Sequence, residues 1–159
     1  MQTSLMIRPA TAADIGQLLG LYMHLSSDNA PCPPDLARAN LEKLGRYEGS
    51  VVLVGEVDDT LIVTCTLIVV PNLTRGGLPY AVIENVVTHP EHRQRGHGKA
   101  ILETASERAW AHGCYKIMLS TGSKRPETLS FYESVGFTQS RTGFQKRKLP
   151  ERAEPVGRG

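Results

Sequence analysis

The chain has no long apolar run, few aromatic residues and three cysteines, and each shortage argues against a class of protein. No stretch reaches about 18 apolar residues, the length that a membrane-spanning helix needs. Aromatic residues make up 6% of the 159 residues and the net charge is +2, whereas nucleic-acid-binding domains typically combine interleaved aromatics with strong basic charge. The cysteines are odd in number and scattered, which favours reduced thiols over a disulfide framework. We therefore expect a cytoplasmic protein without membrane or nucleic-acid partners.

Length and hydrophobic pattern predict one domain of mixed α/β class. The hydrophobic content of 40% is ordinary for a globular chain, and Arg8 and Asp14 interrupt any apolar leader. We expect a single domain over residues 1–149 and a flexible tail over residues 150–159. Apolar spacing predicts the order strand, two helices, three strands, helix, strand, helix, strand. The expected strands cover residues 5–11, 50–57, 60–71, 81–88, 113–119 and 143–149, and the expected helices cover residues 14–25 and 35–46, a segment that begins at residues 96–98, and residues 126–136.

The segment over residues 86–105 joins a strand end to a helix start through a basic, glycine-rich loop. Pro90 blocks continuation of the strand because it cannot donate to a ladder. Gly96 and Gly98 free the backbone of Cβ atoms where the helical spacing begins, and a helix N-terminus presents unpaired N–H groups and a positive dipole. We interpret this loop as a cradle for a phosphate or pyrophosphate. Its residues are Arg93, Gln94, Arg95, Gly96, His97, Gly98 and Lys99.

The glycine loop departs from two common nucleotide-binding fingerprints. It lacks the Gly-x-x-x-x-Gly-Lys-Ser/Thr pattern of a P-loop, and Ile101 stands where a dinucleotide-binding fingerprint needs its third glycine. What remains is Arg-x-x-Gly-x-Gly, formed by Arg93, Gly96 and Gly98. A second pattern, Phe-Tyr-x-x-x-Gly-Phe, follows at residues 131–137. Both patterns, in this order, resemble the signatures of the GNAT superfamily of N-acetyltransferases.

The resemblance implies a fold, a co-substrate and a reaction. The implied fold is mixed α/β, with a central, mostly antiparallel sheet of six to seven strands that contains a splayed parallel pair and is flanked by about four helices. The resemblance implies acetyl transfer from acetyl-CoA to the primary amine of a small molecule by direct attack, without a metal, in a homodimer. The chain also resembles the glucosamine-6-phosphate N-acetyltransferase branch locally. Because Asn85 stands where that branch has an acidic residue, we do not transfer its substrate.

The resemblance also assigns roles on both sides of the expected thioester. It implies that the pantetheine arm pairs like an extra strand with the backbone of Val86, Val87 and Thr88. A backbone N–H in this stretch would polarise the thioester oxygen. The resemblance further implies that the hydroxyl of Tyr132 points at the coenzyme sulfur. Arg125 stands where many relatives carry a coenzyme-contacting asparagine, and it would meet a CoA phosphate, an anionic acceptor or solvent.

Glu84 is the leading candidate for the base that accepts the amine proton. An amine with a pKa of ~10 arrives mostly protonated, so a proton must leave before the nitrogen attacks. Period-two alternation places Glu84 on the same strand face as Val86 and Thr88, where apolar neighbours would raise its pKa toward that of a useful base. Two alternatives stay open: a structural carboxylate paired with Arg or Lys, and a water-only route, since Ser120 stands where many relatives have a glutamate.

Two further predictions concern metals and the acceptor. His89, His92 and His97 lie close together in sequence, but their spacing crosses a turn and no Cys or carboxylate set completes a tetrahedral site, so we predict no metal site. We expect the acceptor pocket between the first two helices and the loops at residues 26–34 and 72–79.

Three alternative functions stay open. One is a noncatalytic CoA-binding module in which Glu84 and Tyr132 are structural. Another is acetylation of a protein amine instead of a small molecule. The third is nucleic-acid binding through Arg93, Arg95 and the basic residues 145–148, which the low aromatic content disfavours.

Overall fold

The structure is a computed structural model that describes residues 4–25 and 30–150, and its centre is a five-stranded sheet. The strands are β1 (Met6–Pro9), β2 (Val51–Val57), β3 (Thr60–Val70), β4 (Tyr80–Thr88) and β5 (Ile117–Met118). The helices are α1 (Ile15–Tyr22), α2 (Pro34–Leu44), α3 (His97–Ala111) and α4 (Pro126–Ser134), and short 3-10 turns lie at Ala12–Asp14, Arg75–Gly77 and Pro90–His92. The strands are neighbours in chain order, and only β4 and β5 pair in parallel. The mixed α/β class and the mostly antiparallel sheet are confirmed.

The last expected strand is absent, so the described sheet has five strands instead of six to seven. Residues 143–149 form no strand, and Phe144 is 94% exposed and Leu149 76% exposed. A strand needs a partner edge for its N–H and C=O groups, and none of the described strands pairs with this segment. Residues 151–159, most of the expected tail, lie outside the described residues.

Separate apolar clusters cover the two faces of the sheet, because side chains alternate along β2 and β3. The face against α3 buries a cluster that includes Leu53, Cys65, Leu67, Ile83, Ile101 and Leu102. The face against α1 and α2 buries Leu18, Leu21, Val52, Val54 and Leu61. The sheet therefore separates α1 from α3, and β4 lies between them. Over residues 4–25 and 30–150, no helix is both long and apolar enough to cross a membrane.

A hydrogen-bonded ion network fixes the start of α1 to the sheet. Asp14 accepts from the guanidinium of Arg8 at 2.7 and 2.9 Å and from the backbone N–H of Thr11 at 2.7 Å. Arg8 also reaches Glu56 of β2 at 3.0 Å. The hydrogen bonds from Arg8 hold the pKa of Asp14 down at about 2, although burial acts in the opposite direction. This network ties α1 to β1 and β2.

Candidate active site

A β-bulge interrupts β4 in its second half. Glu84 pairs with Thr66 of β3, but the next pair is Val87 with Thr64. Two residues of β4 therefore stand opposite the single residue between Thr64 and Thr66, and the first of them, Asn85, has a φ of 54°. Asparagine tolerates this left-handed conformation better than most residues. The extra residue shifts the alternation of side chains between the two faces of the sheet by one position. Side chains after the bulge therefore lie on the face opposite to the one that plain alternation predicts.

The bulge places Glu84 on a different face from Val86 and Thr88, so the expectation from plain alternation is wrong. Glu84 shares the α1 side with Thr66, whose side chain hydrogen-bonds to Tyr22 of α1. Val86 packs against the apolar cluster on the α3 side. Glu84 is also exposed, and the apolar surroundings that we expected for its carboxylate are absent.

The strands β4 and β5 pair in parallel, as expected, and the pairing is short. Residues 81–82 pair with residues 117–118, and the pairing stops there. Beyond it, residues 83–88 have an edge that pairs with none of the described strands, and we call the space beside this edge the gap. The backbone N–H of His89 donates to β3 at 2.7 Å, so the preceding Thr88 turns its own backbone groups toward the gap. An extended ligand in the gap would therefore meet backbone groups that the sheet does not use.

The loop before α3 gathers backbone N–H groups at the expected helix start. Gln94 has a φ of 60°, and Gly96, which caps the helix, has a φ of 83°. The first hydrogen bond of the helix runs from the N–H of Ala100 to the Gly96 carbonyl at 3.0 Å. Helix geometry leaves the N–H groups of residues 97–99 without an intrahelical acceptor. A nest, a concave surface formed by successive backbone N–H groups, is suited to binding an anion when a helix N-terminus follows it.

The two glycines of this loop are needed for different reasons. Gly96 has a positive φ, and a Cβ built on it would meet nothing within 4 Å. A Cβ on Gly98 would lie 3.2 Å from Phe131 Cζ and 3.5 Å from Thr88 Oγ1. Gly98 therefore lets α4 and the end of β4 approach α3 closely, and it joins the two sequence patterns in space.

The basic side chains around the loop differ in their surroundings. The Nε of Arg93 donates to the Thr88 carbonyl at 3.2 Å, so Arg93 connects the loop to the end of β4. Arg95 is exposed, and Lys99 lies 3.9 Å from a carboxylate one turn further along α3. Arg125 precedes α4 as its N-cap residue and is exposed. These charges surround the start of α3 and the start of α4.

Tyr132 lies on α4 and packs on the α3 side of the sheet. Its ring makes edge contacts with Phe131 and Phe137, at centroid distances of 5.1 and 6.3 Å. Burial raises the pKa of its phenol, so the hydroxyl stays protonated at neutral pH. No described residue hydrogen-bonds to this hydroxyl, and no described side-chain oxygen or nitrogen is buried without a partner. The hydroxyl is therefore not fully enclosed, and it is able to donate a hydrogen bond.

A cavity of about 520 Å³ opens on the other side of the bulge. It lies between the second half of α1, the segment of residues 30–34 and Asn85. Apolar side chains supply most of its wall, and Tyr22 and Asn85 supply polar groups. Burial raises the pKa of the Tyr22 phenol, whose hydroxyl hydrogen-bonds to Thr66 and Thr64. Tyr22 therefore connects the wall of the cavity to β3, the strand that pairs with Glu84.

The cavity agrees in part with the expected acceptor pocket. The first two helices and residues 30–34 line it, whereas residues 26–29 lie outside the described residues. No described residue of the loop 72–79 lines it. Arg75 of that loop instead stacks over the ring of Tyr115, 5.4 Å from its centroid. Arg75 therefore lies apart from this cavity.

The histidines form a row of ring contacts at the end of β4. His89 contacts His24 at 4.9 Å and His92 at 5.7 Å, and His92 contacts His97 at 6.4 Å, between ring centroids. The Nδ1 of His89 accepts from the N–H of Glu91 at 3.2 Å. Burial, with smaller contributions from His92 and Arg95, lowers the pKa of His97. In the described ranges, no three His, Cys, Asp or Glu side chains are arranged to hold a metal ion.

Three features point to one class of protein: the bulged strand β4, the short parallel pair of β4 and β5, and the glycine-capped helix α3. The chain belongs to the acetyltransferase (GNAT) family, and the family match covers residues 18–137. This finding confirms the family inferred from the two sequence patterns and makes the chain an acyltransferase of the N-acetyltransferase type.

Individual relatives agree with this assignment. The chain is 33% identical over 133 residues to glucosamine 6-phosphate N-acetyltransferase of Trypanosoma brucei brucei, an alignment that covers 82% of this chain and 87% of the relative. It is 40% identical to a solved putative acetyltransferase from Agrobacterium tumefaciens, with a TM-score of 0.84. The aligned region covers 90% of this chain and 99% of that one. An aminoglycoside N-acetyltransferase solved in complex with CoA shares the fold at 18% identity and a TM-score of 0.76, over 94% of this chain and 98% of that one.

Sequence reasoning missed two features of the site, the bulge at Asn85 and the role of Tyr22. Asn85 is a turn-forming residue inside a run of β-branched residues, and this contrast is the signal of a bulge that the pattern contained. Tyr22 looked like one more apolar position of a helix. Only the packing of α1 on the sheet reveals that its hydroxyl reaches the strand beside Glu84.

Proposed function

We propose that the protein transfers an acetyl group from acetyl-CoA to the primary amine of a small molecule, by direct attack in a ternary complex. The observation that carries the proposal is the unpaired edge of β4 beside the start of α3. Arg93 joins the loop before α3 to Thr88 at the end of this edge, and the cavity reaches β4 at Asn85 of the bulge. One strand thus borders a place for each of two substrates.

The coenzyme side of this proposal uses mostly backbone groups. The N–H groups at the start of α3 would hold the pyrophosphate, and Arg93, Arg95 and Lys99 would add positive charge. The pantetheine arm would then run in the gap and pair with the backbone of residues 86–88. Relatives support this ligand, since one of them was solved in complex with CoA. Holding two reactants in the correct geometry can supply about 7 to 11 kcal/mol of the barrier.

The attack itself needs an oxyanion donor and a proton acceptor. A backbone N–H of residues 86–88 would polarise the thioester oxygen, and one such donor is worth about 3 to 4 kcal/mol. Glu84 does not line the cavity, but it is exposed on the α1 side of β4 and precedes Asn85 of the cavity wall, so it would accept the amine proton directly or through a water molecule. The amine would attack from the α1 side of the strand.

The leaving sulfur needs a proton or a hydrogen bond. Tyr132 lies on the α3 side, and its hydroxyl has no described partner. Its raised pKa keeps the phenol protonated, so it would donate to the departing thiolate. The proposed base and the proposed donor thus act from opposite faces of the sheet.

A panel of primary amines tests the proposal. We expect acetyl-dependent release of the CoA thiol with at least one small amine, together with an acetylated product detected by mass spectrometry. Tight acetyl-CoA binding without transfer to any amine would contradict the proposal and favour a noncatalytic CoA-binding module. Failure to bind acetyl-CoA would contradict both.

Assembly as a homodimer is part of the same proposal. The observation that supports it is the segment of residues 143–149, which leaves Phe144 and Leu149 largely exposed in the single chain. Burial of these side chains by a second copy would explain apolar residues on an otherwise basic segment. Sedimentation of one species at the monomer mass of 17.4 kDa across micromolar concentrations would contradict it.

A further inference from the structure

The chemistry of the cavity beside Asn85 narrows the acceptor. We propose that this cavity takes a primary amine carried on an apolar body, such as an arylalkylamine, and not a phosphorylated amino sugar. This inference rests on the proposed function, because it assumes that the cavity is the acceptor site. It departs from the substrate named for the Trypanosoma relative.

The described wall of the cavity contains no charged side chain. Its apolar members include Leu19, Met23, Leu25, Ala30 and Pro31. A phosphate group needs Arg, Lys or clustered backbone N–H groups, and burial without them is strongly unfavourable. Arg75, a basic residue of the loop 72–79 that we expected to border the acceptor pocket, is stacked on Tyr115 and does not line the cavity. The wall is therefore a poor match for a phosphorylated acceptor.

The described wall of the cavity has few polar side chains. Asn85 presents a neutral amide next to Glu84 in the chain, and the Tyr22 hydroxyl is already engaged by Thr64 and Thr66. An amine nitrogen would find a hydrogen-bond acceptor at Asn85. A sugar, which carries hydroxyl groups on every side, would leave most of them facing carbon. The arrangement orients a ligand with its nitrogen at the bulge.

The size and exposure of the apolar wall fit a single-ring ligand. A volume of about 520 Å³ is in the usual range of small-molecule sites. Met23 is 42% exposed although it lines the cavity, so a bound apolar group would cover side-chain surface that is now open to water. Covering this surface would favour an aryl or alkyl body.

A direct comparison of acceptors tests the inference. The wild-type protein is assayed for thiol release from acetyl-CoA with 2-phenylethylamine, glucosamine and glucosamine 6-phosphate at matched concentrations. We expect kcat/KM for 2-phenylethylamine to exceed that for either sugar at least tenfold. An equal or higher kcat/KM for glucosamine 6-phosphate would overturn the inference and leave the proposed function standing.

Two glycines of α1 provide a matched pair of variants that locate the effect. Gly20 lines the cavity, and a Cβ on it meets nothing within 4 Å, so we expect Gly20→Phe to place its ring in this space. Gly16 has the same freedom on the same helix but does not line the cavity. We expect Gly20→Phe to raise the KM for 2-phenylethylamine at least tenfold and Gly16→Phe to leave it within twofold. Equal effects of the two variants would place the acceptor elsewhere and overturn the inference.

A binding experiment separates failure of the inference from failure of the proposed function. If no amine is acetylated, calorimetry measures binding of 2-phenylethylamine to the CoA-loaded protein. Binding that Gly20→Phe abolishes and Gly16→Phe preserves would support the ligand class while refuting catalysis. Absence of binding in the wild-type protein would overturn the ligand class as well.

Discussion

The two sides of the bulge in β4 are built in different ways. The proposed coenzyme side consists of backbone groups at the start of α3 and along an unpaired strand edge, and its main side-chain requirement is that Gly96 and Gly98 have none. The proposed acceptor side is a cavity whose wall comes from side chains of α1, residues 30–34 and Asn85. A backbone site depends on a short local pattern, whereas a side-chain cavity depends on packing between distant segments. Substitutions on the two sides should therefore impair the protein in different ways.

The largest effect should come from Gly98→Val on the coenzyme side. Its side chain would enter space next to Phe131 and Thr88, so it would both push α4 away and obstruct the start of α3. We expect acetyl-CoA affinity to fall at least 100-fold and the free energy of unfolding to fall by about 1 to 3 kcal/mol. Calorimetry and urea unfolding measure the two effects. Gly143→Val, at an exposed glycine with open space, is the control and should change neither.

The next effect concerns the stability of the acceptor side. Asp14→Asn removes the carboxylate that ties α1 to β1 and β2 through Arg8. Since the folded pKa of Asp14 is about 2 and an unfolded carboxyl titrates near 4, its contribution is present above pH ~4 and lost as the pH falls through about 2. We expect a loss of about 2 kcal/mol in the free energy of unfolding at pH 7.

Urea unfolding as a function of pH checks this prediction. The difference between wild type and Asp14→Asn should shrink between pH ~4 and ~2, because the wild-type carboxyl becomes protonated there. Glu42→Gln, which removes an exposed ion pair with Arg46 at 3.2 Å, should cost less than about 1 kcal/mol. A difference between wild type and Asp14→Asn that stays constant down to pH 2 would contradict the assigned pKa.

A smaller effect should follow from Tyr132→Phe, which keeps the ring contacts and removes the hydroxyl. One hydrogen bond to a charged group is worth about 1.5 kcal/mol at the low end, so kcat should fall about tenfold. The loss should extend over the whole pH range, and acetyl-CoA affinity should stay nearly intact. Steady-state kinetics with a good acceptor measures this loss. Tyr47→Phe, at an exposed tyrosine, is the control. An unchanged kcat would remove Tyr132 from the reaction.

The smallest effect should be that of Glu84→Gln. An exposed base is partly replaceable by water, so we expect a loss of less than about tenfold in kcat near neutral pH. The loss should shrink as the pH rises toward ~10, where the amine loses its proton without help. Glu48→Gln, at another exposed carboxylate, should follow the wild-type pH profile. A loss that is the same at every pH would mean that Glu84 does not act as the base.

Local patterns predicted much of the fold, including the helix starts around the proposed coenzyme side. The starts of α3 and α4 follow from Gly96 and Pro126, and the turn between β2 and β3 follows from two aspartates, Asp58 and Asp59, that adopt positive φ. These features depend on residues close together in the chain. The parallel placement of β4 and β5 was expected from the family resemblance and not from a local pattern.

Features that depend on distant contacts escaped prediction. The bulge at Asn85 reversed the face expected for Val86, because a single extra residue shifts every later position. Residues 143–149, which we expected to form a last strand, have no strand partner among the described elements. The cavity lies between α1, residues 30–34 and β4, which are distant in the chain, so no short sequence pattern predicts it.

The acetyl-CoA dissociation constant of two variants tests most directly whether the bulge separates two sites. Gly96→Val places a side chain in the open space at the start of α3, and Gly20→Phe fills the cavity on the other face. Calorimetry should show at least a tenfold weaker acetyl-CoA affinity for Gly96→Val and wild-type affinity for Gly20→Phe, with both variants folded. Wild-type affinity in Gly96→Val, or an equal loss in both variants, would contradict the separation of a backbone-built coenzyme side from a side-chain-built acceptor side.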